Sequence, residues 1–176
     1  PFGVLFNPLS IKLALEMSNG ECSFDERYIR FFNEKWISFA HHGKFSHPER
    51  NIFLSEIERV IKDVGQALTE IDYLFITFGT AYYYRYIAQD IVVANCHKIP
   101  AIEFEKRRLS VSEITDAYHT LTQRLFAKNK KLKIIFTVSP VRHLGDGFHE
   151  NQVSKSILHL AVEEMTAHES IFYFPA

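Results

Sequence analysis

Cysteine is scarce: Cys22 and Cys96 are the only two, far apart and without CxxC spacing. Two lone thiols exclude a disulfide framework and a thiolate metal site. No Gly/Ser linker, internal repeat or low-complexity tract marks a second domain, so residues 1–176 are read as a single domain. No stretch approaches the roughly 20 apolar residues needed to cross a bilayer, and no basic-then-apolar signal follows residue 1. Charge of one sign is lacking too. Twenty Lys and Arg against 21 Asp and Glu leave a formal charge of −1, with no like-charged block to meet a phosphate backbone, which excludes nucleic acid as a partner. Cytoplasmic and cell-envelope locations both stay open, as does the oligomeric state.

Hydrophobic residues make up 47% of the chain and aromatics 14%, enough for a substantial core. "PFGVLF" reads as part of a strand. Asn7-Pro8 is an N-cap followed by proline at the first helical position, predicting a helix over about 8–17. Ser55 to Glu58 fits a capping box, and Ile57, Val60, Ile61, Val64, Leu68 and Ile71 form one apolar stripe at helical spacing. The run Tyr73 to Thr77 has apolar residues on both pleat faces, as expected of a strand covered by helices on both sides. A second capping box, Ser110 to Glu113, opens a helix that ends at a strand over 133–138. A helix over 151–166 and a strand over 170–174 follow. This alternation predicts a parallel sheet packed between helices, with the ligand crevice beyond the carboxyl ends of the strands. Two segments, 28–39 and 82–95, read instead as β-hairpins with turns near Asn33-Glu34 and Gln89-Asp90.

The crevice rule singles out three places: Thr77 to Thr80, Ser139 to Asn151, and the residues after Phe174. Nine His is a high count, but His41, His42 and His47 match neither HExxH nor a Cys/His quartet; no metal or other cofactor is expected. Gly79 could offer its N–H closely to a substrate because it lacks a Cβ. Pro140 must turn the chain past a strand end and present Arg142 and His143 above the sheet. Arg142 could grip a carboxylate or sugar hydroxyls, or pair with Asp146 or Glu150 as a latch. His143 could donate to or accept from a substrate. Ser139 lacks the Gly-x-Ser-x-Gly elbow of a nucleophile and reads as a turn residue.

"WISFAHHGKFSHP", "FITFGTAYYYR", "VVANCHKIP" and "IIFTVSPVRHLGDGFHENQVSKSILHLA" together resemble the GSCFA family of bacterial proteins. Through it they resemble the SGNH/GDSL hydrolases and PC-esterases. The resemblance implies a flavodoxin-like three-layer α/β/α sandwich with a mostly parallel sheet and two hairpin insertions. It also implies a serine esterase chemistry on O-acyl, perhaps acetyl, esters of bacterial glycans. The name-giving Gly-Ser-Cys-Phe-Ala motif and an Asp-x-x-His-Pro motif do not occur in the 176 residues, so the chain is expected to be truncated at both ends, with nucleophile and base outside it, and inactive alone. By position, Gly79 and Thr80 are the oxyanion candidates, and Asn95 could reach in from the second hairpin. Gly3 is a looser match to a further oxyanion glycine. His41, His97, Arg142 and His143 are candidate substrate contacts. The alternative is a non-catalytic glycan-binding module, with Trp36, Phe39, Tyr82, Tyr83 and Tyr84 near the mouth.

Overall fold

A computed structural model of the chain describes residues 2–142, 145 and 147–175. Helix α1 (Pro8–Asn19) is followed by the hairpin β1 (Ile29–Phe32) and β2 (Lys35–Ser38), then by α2 (Arg50–Glu70) and β3 (Tyr73–Phe78). Three antiparallel strands come next, β4 (Tyr82–Tyr86), β5 (Ile91–Val93) and β6 (Phe104–Arg108). The chain then runs through α3 (Val111–Lys128), β7 (Lys133–Val138), α4 (Phe148–Met165) and β8 (Ile171–Tyr173). The fold is mixed α/β: β3, β7 and β8 form a parallel sheet in that order, β5, β4 and β6 an antiparallel one, and β1 and β2 a separate hairpin.

Local chemistry explains most boundaries. Asn7 Oδ1 accepts the Ser10 N–H at 2.9 Å, Pro8 opens α1, and Gly20 closes it with φ +75°. Both halves of the Ser110–Glu113 capping box are formed. The box expected at Ser55 is not a helix start. α2 already begins at Arg50, and Ser55 Oγ donates to Ile52 O inside it; Phe53, fully buried, extends the apolar stripe upstream of Ile57. α4 likewise starts before Asn151, at Phe148, because Gly147 turns the chain with φ +88°. Phe2 to Phe6 is not a strand; it leads irregularly, through Gly3 at φ +86°, to the cap of α1.

Register places Ile76, Phe78, Ile134, Phe136, Val138 and Ile171 on one face of the parallel sheet. There they are buried with Leu15 of α1, Tyr118, Leu121 and Leu125 of α3, and Leu158 and Ala161 of α4. Phe78, Phe136 and Tyr118 meet at centroid distances of 5.1 to 5.6 Å, and each such ring contributes about 1.5–3 kcal/mol by leaving water. The opposite face does not follow the expectation of cover on both sides: Tyr73, Phe75 and Phe172 are 55%, 62% and 44% exposed.

The antiparallel elements build a cap with its own core of Ile37, Phe39, Tyr86, Val93, Ile99 and Phe104. A third buried cluster joins cap to body: Phe2, Ala14, Met17 and Val60 pack with Ala40 and Phe45. Glu150 of α4 accepts from Tyr82 Oη and, at 2.7 Å, from Arg108 Nη1. Ser154 Oγ accepts the Ala81 N–H at 2.8 Å, and Ser10 Oγ donates to Val93 O at 3.3 Å. Lys155 Nζ donates to both Gly79 O and Ser139 O at 2.6 Å, tying together the loops after β3 and β7.

Candidate functional site

Where the loop after β3 meets the cap there is a cleft of about 490 Å³. Thr80 lies at its base, Val4, Phe6 and Asn7 on one side, Tyr82, Tyr84 and Lys106 on another, and His42 and Val93 to Cys96 complete it. It sits beyond the carboxyl end of β3, as the topology rule requires.

Gly3 explains how His42 comes to the cleft. At φ +86° it packs so closely that a Cβ on it would sit 2.3 Å from His42 Cβ, a contact only glycine permits. Phe2 O accepts the His42 N–H at 3.3 Å. His42 Nδ1 accepts the Lys44 N–H at 3.2 Å, which assigns the ring proton to Nε2 and makes that atom a donor. Asn95 is arranged similarly. Its Oδ1 accepts the His97 N–H at 2.8 Å and so fixes the amide orientation. Nδ2 is left as a donor with no protein acceptor among the described residues.

The expected oxyanion donors are placed differently. Gly79 N–H and Thr80 N–H both point at Phe6 O, at 2.8 and 3.1 Å. The amide pair has the convergent geometry of an anion nest, but the oxygen it holds is the chain's own. A Cβ on Gly79 would stand 3.1 Å from that oxygen, so glycine serves here to let the segment before α1 dock on the strand end. Thr80 Oγ1 accepts the Tyr82 N–H at 3.1 Å and lies 3.2 Å from Ser154 Oγ. Among the described lining residues, Asn95 Nδ2 and His42 Nε2 are donors that the printed hydrogen bonds leave uncommitted. Neither Gly79 N–H nor Thr80 N–H is among them.

His41, a candidate substrate contact, does not line the cleft. It is fully buried, stacked on Phe2 at 5.2 Å with Phe24 and Phe45 edge-on at 5.5 Å. Its Nδ1 is 2.8 Å from Ser38 Oγ, the spacing of a serine–histidine dyad. Burial decides against that role: Ser38 is 2% exposed, its Oγ already accepts the Ala40 N–H, and no substrate reaches it. Nε2 is buried with no hydrogen-bond partner among the described residues. Burial, with a smaller contribution from His97, depresses the His41 pKa to about 4.

His97 lies behind the cleft wall. Its Nε2–H donates to Ser38 O at 2.8 Å, its φ is +50°, and burial lowers its pKa. It carries the turn that holds Asn95. Arg142 is exposed and lies outside the cleft lining. Glu150, one of the two partners considered for it, is engaged by Arg108 and Tyr82; Asp146 and the candidate contact His143 lie outside the described residues. Of the aromatic set, Tyr82 and Tyr84 line the cleft, whereas Phe39 is core, Tyr83 packs against the body core and Trp36 pairs with Phe31 at 5.2 Å.

Sequence reasoning weighed His42 and Cys96 only as metal ligands and did not single out Lys106. The strand that carries Lys106 is short and charged, so its pattern gave no strand signal. Cys96 cannot serve as a resting nucleophile, because burial raises its pKa to about 11 and keeps it a thiol. No group of three or more His, Cys, Asp or Glu among the described residues is placed to hold a metal ion, and no described helix is long and apolar enough to cross a membrane.

The model of the GSCFA family matches residues 1–176, and the chain belongs to that family. No curated protein and no solved structure matches it.

Proposed function

We propose that this GSCFA-family chain provides the substrate cleft of a serine ester hydrolase acting on O-acyl, chiefly acetyl, esters of bacterial glycans. The nucleophile and its base would lie outside these 176 residues. The observation that supports the reading is the pair Asn95 Nδ2 and His42 Nε2–H, donors on two residues that line one cleft at the carboxyl end of a parallel strand. Such donors stabilise the oxyanion that forms when a serine attacks an ester carbonyl. Serine attack gives an acyl-enzyme, and a base that took the serine proton returns it to the departing sugar oxygen. The finer architecture belongs to the same proposal: a flavodoxin-like α/β/α sandwich whose second helical layer covers Tyr73, Phe75 and Phe172. Those three exposed rings on one sheet face support it.

The test compares the 176-residue chain with a longer chain of the same protein, using 4-nitrophenyl acetate. The short chain is expected to be inert. The longer one should turn over the ester and lose about 100-fold on Asn95→Ala, the scale of a single oxyanion donor. A longer chain inert on a broad panel of acyl esters removes the hydrolase reading. Retained glycan binding would then favour the binding-module alternative, for which the Tyr82 and Tyr84 wall is the supporting feature.

A further inference from the structure

Residues 2–6 join a buried histidine to two sides of the cleft. Phe2 stacks on His41 at 5.2 Å, and its carbonyl accepts the His42 N–H at 3.3 Å. Gly3 packs on His42, Val4 and Phe6 line the cleft, and Phe6 O accepts the N–H groups of Gly79 and Thr80. His41 is fully buried, and its Nε2 has no hydrogen-bond partner among the described residues. Around its ring stand Phe2, Phe24 of the stretch before β1, Phe45 of the turn after β2, and Ser38 of β2, whose Oγ lies 2.8 Å from Nδ1. Lys44 Nζ lies 5.0 Å from the centre of the Phe45 ring. The titratable group that acts on His41 is His97, on the turn after β5, and no carboxylate is among the described groups that act on it.

We propose that residues 2–6 are an acid-released strap: a proton taken up by His41 detaches them and dismantles the two sides of the cleft that they hold. Neutral imidazole fits the cage, since Nδ1 meets Ser38 Oγ and Nε2 needs no partner if it carries no charge. Imidazolium carries N–H on both nitrogens, and the one on Nε2 would be a buried donor without an acceptor, on a cation taken out of water. Burial outweighs any attraction of the rings for that cation, because it holds the His41 pKa down at about 4. His97 adds repulsion, and no described carboxylate offsets it. The charged ring is therefore relieved only by reaching water. Of the surfaces around it, Phe2 is the one whose withdrawal disturbs no helix or strand, because residues 2–6 belong to neither. Its withdrawal takes Gly3 from His42, and Phe6 O from Gly79 and Thr80, along the same short stretch. The strap stands whether the cleft serves hydrolysis or binding alone.

The experiment is hydrogen exchange of the whole protein, read by NMR as protection factors at pH 7 and pH 5. The amides of His42, Gly79 and Thr80, which donate to Phe2 O and Phe6 O, should lose protection by roughly 20-fold, the linkage of one proton whose site moves from about 4 in the closed state to 6.5 in the open one. The amides of Ile134 and Ser139, bonded to Ser170 O and Phe78 O at 2.9 Å, should keep theirs, since the opening is local. His41→Phe fills the cage with a ring that binds no proton and should leave all three strap amides equally protected at both pH values. His41→Leu gives the same reading where the phenyl ring is not accommodated. Equal protection of the strap amides at pH 7 and pH 5 in the wild type overturns the inference. So does a loss shared by Ile134 and Ser139, or a loss that persists in either variant.

Discussion

The helix-covered parallel sheet and the antiparallel cap beside it are held together by different means. In the body, Phe78, Phe136 and Tyr118 interlock, and the polar groups that are buried serve the backbone: Tyr118 Oη donates to Pro8 O at 2.9 Å, and Asn129 Nδ2 to Ile71 O at 2.8 Å. The cap has a smaller core around Phe39, Tyr86 and Phe104. It is laced by side-chain pairs such as Arg30 with Glu103 at 2.5 Å and Arg85 with Glu105 at 2.7 Å. Among the described residues, those with positive φ other than glycine, Asn33, Glu34, Asp90, His97 and Lys98, all lie in the cap. Every cleft donor is on the cap or on its junction with the body. The regular half of the molecule holds the larger core, and the strained, polar half supplies most of the cleft lining, a division seen where strain is tolerated for function.

Truncating one ring in each core tests that division with the largest expected effect. Phe136→Ala should cost about 3–5 kcal/mol, read as a lower denaturation midpoint for the whole chain. Phe39→Ala removes an equally buried ring. If the cap is a separate unit, hydrogen exchange should quicken in β4 to β6 and around Asn95 while β3 and β7 stay protected. Uniform loss of protection in Phe39→Ala would merge the two regions into one cooperative unit.

Acid should weaken the junction next. Folded His41 titrates near 4 against an ordinary 6.5, so between those values the unfolded chain binds more protons. The His41 contribution is complete above pH 6.5 and declines as pH falls, by about 3 kcal/mol at pH 4. His97, also lowered by burial, adds in the same direction. His41→Phe, packed among Phe2, Phe24 and Phe45, should flatten the acid limb of a stability-versus-pH curve. An unchanged limb would mean that other groups drive acid unfolding.

A smaller effect is expected where Lys155 bridges the strand ends. Its ammonium, whose pKa burial lowers, satisfies Gly79 O and Ser139 O. Lys155→Met should cost about 1–3 kcal/mol for those two carbonyls and loosen the Thr80 side of the cleft, seen as a lower melting temperature with weaker ligand binding. Loss of stability with unaltered binding would detach the clamp from the site.

These regions also differed in how far they could be read beforehand. The body follows rules that act within a few residues: Asn7-Pro8, the Ser110–Glu113 box and the strand over 133–138 lie where periodicity puts them. The misplaced helix starts, at Arg50 and Phe148, are those with no side-chain cap. Both hairpin turns were legible, but β6 was not, since "FEKRR" owes its strand state to pairing with β4. In the site, Thr80 and Asn95 do converge. His41 and His42 could not be told apart, because adjacent residues on an extended chain face opposite ways, and only tertiary packing decides which enters the core. That Gly79 N–H is spent on Phe6 O is a contact between distant segments, invisible to local pattern.

The smallest effect bears on whether cap strain serves the site or only the turn. The β1–β2 loop has two residues, Asn33 and Glu34, with φ of +48° and +60°, the signature of a type I′ turn. Asn tolerates this region and Glu does not, at a cost of about 1 kcal/mol for a side chain with Cβ. Glu34→Gly removes that cost and incurs part of it again as unfolded-state entropy. A net gain of about 0.5 kcal/mol should appear as a rise of roughly 1–2 °C in melting temperature. Cleft binding should not change, because neither Asn33 nor Glu34 lines the cleft. The same exchange at His97, where φ is also positive, removes the ring that donates to Ser38 O and should weaken binding. Strain that can be relieved without loss at Glu34 but not at His97 would assign the second, and not the first, to the site.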